Sequence, residues 1–125
     1  MGSDTDATLP VFNKEAFRKR CVYDEALERT ILHGSLDDLH AQVKQLQQDF
    51  SKRDFKTLER TAHALKGTSG TLSAARLHAT AQQLELSART VNEKNSDNID
   101  RIKELIEMTK QQLIEYNSVV QKYYP

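Results

Sequence analysis

A single cysteine, Cys21, leaves this 125-residue chain no means of forming an internal disulfide. A disulfide-stapled secreted scaffold is excluded, and a reducing compartment, the cytoplasm, is the expected setting. Neither sign of charge is in excess. Eighteen basic residues meet eighteen acidic ones, so nothing in the composition points to nucleic acid or an anionic membrane as partner. No apolar run approaches the roughly 20 residues that span a bilayer, and the N-terminus lacks the hydrophobic region of a signal peptide. Tryptophan is absent, and two prolines and four glycines leave few breaks in the chain. What is present is a set of apolar residues almost all at helical spacing. The expectation is one all-α domain, long enough for a core of its own.

Residues 1–10 are small and polar and are expected to lack fixed structure, with Met1-Gly2-Ser3 reading as a possible expression scar and the domain proper as 11–125. Asn13 is placed to cap a short helix from Lys14 to about Cys21, with Phe12 and Phe17 as a hydrophobic staple. Asp24 caps a second helix that runs to about Lys52, whose inner stripe is Leu32, Leu36, Leu39, Val43, Leu46 and Phe50. Gly34-Ser35 is a point where that helix can bend or break. Asp54 caps a third helix after a tight reversal, and Ser73 caps a fourth with Leu77, Ala81, Leu84, Ala88 and Val91 inside. Asn92–Asn98 reads as a loop. Asp97 caps a last helix to about Tyr123, with Ile99, Ile102, Ile106, Leu113, Tyr116 and Val120 facing inward. Four long amphipathic helices with short connections predict an antiparallel up-down-up-down four-helix bundle, preceded by one short extra helix.

The third helix carries the chemistry. Phe55, Leu58, Ala62, Leu65, Ser69 and Leu72 make its buried stripe, which turns Glu59, His63, Lys66, Gly67 and Gly70 toward water. His63 is thus an imidazole held out on a rigid helix, with Lys66 one turn above it and no side chain at Gly67 to crowd it. A glycine within a helix costs about 1 kcal/mol relative to alanine, so its place beside the histidine suggests that cleared space matters there. An exposed ring with a neighbouring cation and an open approach suits a group that must carry a bulky anion. A phosphoryl group fits, because a neutral ring nitrogen is available as nucleophile near neutral pH and Lys66 can balance the charge.

The run His63-Ala64-Leu65-Lys66-Gly67-Thr68-Ser69, followed by Leu72-Ser73-Ala74, resembles the motif of the histidine-containing phosphotransfer (HPt) domains of bacterial multistep phosphorelays. The likeness reaches upstream to Leu9-Pro10-Val11-Phe12 and Phe50-Ser51-Lys52-Arg53-Asp54, and downstream to Leu84-Glu85, so it covers most of the chain. The resemblance implies that His63 accepts phosphate, Lys66 assists and Gly67 clears space. It implies a four-helix bundle, response-regulator receiver domains as partners, and no cofactor on this chain, the required Mg²⁺ lying in the receiver. It also allows the chain to be the cytoplasmic HPt piece of a membrane-bound hybrid kinase. One departure stands out: Ser73 occupies a place where the family commonly has glycine.

The resulting expectation is a monomeric phosphocarrier, without kinase activity of its own, that takes a phosphoryl group from one receiver aspartate and yields it to another. Two other readings compete, an adaptor bundle whose histidine never meets phosphate and a dimerising kinase bundle lacking its ATP domain. Ala64, where an acid is wanted, argues against the latter. Gln82, Gln83 or Glu85 of the fourth helix is placed to orient the His63 ring, and Glu59 and Arg60 to touch a partner. Phe12, Ile31 and Leu32 are the apolar candidates for the docking surface. His33, Asp37 and His40 share one face, but they read better as boundary residues of an amphipathic helix than as a metal site, which wants four ligands. His78 reads as a boundary residue too, and Thr68-Ser69-Gly70-Thr71 lacks the Lys-Ser/Thr ending of a phosphate loop.

Overall fold

The computed structural model describes residues 8–91 and 96–125. Those residues form five helices and no strand: α1 (Lys14–Arg20), α2 (Glu25–Ser51), α3 (Phe55–Thr71), α4 (Ala75–Thr90) and α5 (Ser96–Tyr123). The expected all-α class holds. Three of the expected caps hold as well: Asn13, Asp24 and Asp54 each accept from a backbone N–H in the first turn of the helix that follows. Such bonds satisfy donors that have no partner within the helix. Residues 1–7 and 92–95, parts of the expected disordered segment and of the expected loop, lie outside the described residues. Leu9 is fixed, its carbonyl accepting from Arg76 Nε at 2.5 Å.

Three expectations need correction. The Gly34-Ser35 pair does not break α2, which runs on without interruption. Asp97 lies within the first turn of α5 and is not its cap. Ser73 does not cap α4: it sits in the left-handed region at φ 53°, and Ala74 is the N-cap. The backbone explains why. Ala74 N donates to Ser69 O and Ser73 N to Gly70 O, the pair of bonds that closes a helix C-terminus through one left-handed residue. Ser73 therefore ends α3. Arg53 at φ 54° ends α2 in the same way, and α1 ends with two such residues, Val22 at φ 48° and Tyr23 at φ 58°. The three described glycines all lie inside helices, and none takes a positive φ.

The predicted stripes meet in one core. Leu32, Leu39, Val43 and Leu46 of α2 are buried with Leu58, Ala62 and Leu65 of α3 and with Leu77, Ala81, Leu84 and Ala88 of α4. From α5 come Ile102, Ile106, Leu113, Tyr116 and Val120, together with Leu105, which the stripe had not included. Consecutive long helices pack on one another, and α5 returns to α2. At one end Phe12 lies between Phe17 and Tyr116, with ring centroids 5.7 and 5.5 Å away. The Tyr116 hydroxyl donates to Leu72 O at 2.8 Å, so α5 holds the α3–α4 junction. The Tyr124 hydroxyl donates to the buried Glu28 at 2.6 Å. Among the described residues no helix is long and apolar enough to cross a membrane.

Candidate functional site

α3 buries Leu58, Ala62, Leu65 and Ser69, and the same periodicity turns His63 outward: 68% of its side chain is exposed. The ring is nevertheless fixed. Its Nδ1 lies 2.8 Å from Glu85 Oε2 on α4. Glu85 is 7% exposed, so it reaches the surface only through the groups that surround it. Lys66 Nζ is 2.8 Å from its other oxygen, Oε1, and Arg89 Nη2 is 3.1 Å from Oε2. Arg89 Nε in turn donates to Glu59 Oε2 at 2.9 Å. Four charges and one imidazole across two helices would be a poor burial without such pairing; here the buried carboxylate of the cluster has three donors.

These partners set the protonation. The Lys66 ammonium holds the Glu85 carboxyl below its usual range, the His63 ring adding to the effect, while burial pulls the other way. Glu85 is therefore ionised at neutral pH and can only accept. The hydrogen between it and the neutral ring belongs to Nδ1, which leaves the Nε2 lone pair as the unprotonated position. Glu59, and behind it Glu85, raises Arg89 further above its ordinary value, so that cation is permanent.

The approach to the ring is open. An ideal Cβ built on Gly67 meets no atom within 4 Å beyond its own helix, so no packing need within this chain accounts for that glycine. On the other side of the ring lies an open hollow of about 280 Å³ lined by Lys56, Glu59, Arg60, His63 and Glu85. A Cβ on Gly70 would touch the His78 ring at 3.5 Å, an ordinary contact; His78 is a half-buried boundary residue whose Nδ1 donates to Lys66 O at 2.9 Å.

The structure brings together His63, Lys66, Gly67 and, from the three candidates on α4, Glu85. It does not bring the apolar trio to this face. Phe12 and Leu32 are core residues, 8% and 3% exposed, and Ile31 packs half-buried against the same core. Helical periodicity left them near the shoulders of their helices, but α1 and the end of α5 cover that region. His33 and His40 are exposed, and His40 Nε2 accepts from the Asn117 side chain at 3.1 Å. Among the described residues no three His, Cys, Asp or Glu side chains converge as a metal site. Arg89 is the part that sequence reading missed. The signal was present, since Glu85 and Arg89 stand four residues apart on a helix.

The model of one protein family, the Hpt domain, matches residues 31–112, which is 82 of the 125 residues. No curated protein matches the chain.

Proposed function

We propose that this chain, which belongs to the Hpt domain family, is a phosphocarrier whose phosphoacceptor is His63. Membership of the family implies histidine phosphotransfer in a phosphorelay and receiver domains as partners. The finer reading is that a receiver phosphoaspartate docks over the α3–α4 face and His63 Nε2 attacks the phosphorus in line. Lys66 leaves Glu85 to balance the phosphoryl charge, and Gly67 leaves room for the incoming partner. The group then passes to the aspartate of a second receiver. One observation carries this reading: a solvent-exposed ring whose Nδ1 is held by an ionised carboxylate, so that Nε2 points its lone pair outward beside a lysine.

The chain supplies no kinase activity and holds no cofactor of its own in this proposal; Mg²⁺ belongs to the receiver. A monomer in the cytoplasm suffices. The domain spans residues 11–125, and its four long helices run up-down-up-down, as their pairing in sequence order and the return of α5 to α2 support. The test is incubation with a phosphorylated receiver. Label passes to the wild-type chain, survives base and is lost in acid, while His63→Gln stays folded and takes up none. Label on an unchanged His63→Gln protein would place the acceptor elsewhere.

A further inference from the structure

Glu85 Oε2 has two partners: His63 Nδ1 at 2.8 Å and Arg89 Nη2 at 3.1 Å. The guanidinium is itself held, its Nε on Glu59 Oε2 at 2.9 Å. Glu59 stands one turn before His63 on α3, so the path Glu59–Arg89–Glu85–His63 leaves that helix, crosses to α4 and returns. The charged groups around the ring are Lys56, Glu59, Arg60 and Lys66 of α3, and Glu85 and Arg89 of α4.

During phosphoryl acceptance the Nε2 lone pair forms the N–P bond as the P–O bond to the receiver aspartate breaks, and the departing carboxylate keeps that electron pair. The ring retains its Nδ1 hydrogen, so positive charge develops on it and faces Glu85. Lys66 is needed at the phosphoryl oxygens in the same moment and gives up Oε1. A carboxylate that is 7% exposed then loses one of its cations. Arg89 is the one that stays, because its Nε is anchored on Glu59 Oε2.

We propose that Arg89, held by Glu59, is a positioning residue for the phosphoacceptor: it keeps Glu85 in place while Lys66 serves the phosphoryl group, and it disfavours the imidazolium form of His63 in the resting protein. The first half rests on the phosphocarrier reading. The second is a property of the unphosphorylated chain and stands without it.

The test uses the whole chain with Arg89→Gln, Arg89→Lys and Glu59→Gln, all checked for folding by circular dichroism. His63 is titrated by NMR without any receiver, and label uptake from a phosphorylated receiver is followed against pH. Removing the Arg89 cation favours the imidazolium, so in Arg89→Gln the His63 titration moves to higher pH and the acid limb of uptake follows. Uptake near pH 6.5 falls about two- to fivefold, the size expected of a partly exposed charge pair, and the loss narrows at alkaline pH. Arg89→Lys keeps the charge and recovers part of the loss. Glu59→Gln removes an anion one turn from the ring and shifts the titration the opposite way. A merely structural salt bridge would move neither titration. An Arg89→Gln profile that superimposes on wild type, or a Glu59→Gln shift in the same direction as Arg89→Gln, overturns the proposal. If the wild-type chain takes up no label, the phosphocarrier reading fails instead, and the NMR titration still decides whether Arg89 governs the ring.

Discussion

Glu85 is one carboxylate with three donors, and its behaviour separates what the imidazole needs from what the fold needs. Replacing it with glutamine keeps an acceptor for Nδ1 but removes the charge that meets the developing imidazolium. Label uptake by Glu85→Gln is expected to slow by about tenfold, the equivalent of about 1.4 kcal/mol in the transition state, with Lys66 left without its counter-ion. The same residue predicts a pH dependence of stability. Its carboxyl titrates below the ordinary value of 4.5 in the folded chain, chiefly because Lys66 bonds the ionised form. The native state thus binds this proton less readily than the unfolded one, so the contribution is full above the ordinary value and is lost as pH falls through the lowered one. Thermal melts across that window should show wild type losing stability more steeply than Glu85→Gln. At this scale the sequence disclosed where His63, Lys66 and Gly67 stand on α3, because a helix face follows from periodicity alone. It narrowed the ring's partner only to three residues of α4, since choosing among Gln82, Gln83 and Glu85 depends on how two helices are rotated against each other.

Among the elements, α3 separates stability from function most cleanly. Gly67→Ala puts a methyl group where nothing lies within 4 Å. It should therefore stabilise the helix by up to about 1 kcal/mol while slowing transfer from a receiver, a combination that a melt and an uptake assay on the same sample would reveal. The end of α3 gives the second test. Ser73 holds a left-handed conformation, and its buried hydroxyl has no hydrogen-bond partner among the described residues. Ser73→Gly relieves both and is expected to raise stability by about 1 kcal/mol, read as a melting point higher by a few degrees. The helix ends also mark the limit of what the sequence discloses. Asp54 was legible as a cap because an acceptor before an apolar stripe has one use. Ser73 was not, because a serine there has two: it can start the next helix or, as here, finish the last one in a conformation that usually calls for glycine. Val22 and Arg53 give no such sign, since neither residue type favours a left-handed turn.

At the scale of the whole molecule, the proposed docking face and the fastening of the fold are kept apart. Among the described residues the His63–Glu85 cluster is drawn from α3 and α4, whereas α1, the start of α2, α5 and the residue after it are joined by aromatic contacts and by Tyr124 on Glu28. Tyr124→Phe leaves the buried Glu28 carboxylate, 2% exposed, with Arg18 at 3.4 Å as its one remaining side-chain partner among the described residues. The expected loss is about 1–3 kcal/mol of stability by denaturant titration, with label uptake by the folded fraction unchanged. The all-helical class was legible because burial and periodicity agree along the four long helices. The apolar docking trio was misplaced because a stripe tells which residues face inward but not which neighbouring element seals them. The path from Glu59 to Arg89 has a further consequence: the ring, its carboxylate and all the cations that tune it are encoded in one uninterrupted stretch of two consecutive helices. That stretch is a portable cassette. Grafted onto another scaffold that preserves the α3–α4 rotation, it would carry the whole reactive constellation with it.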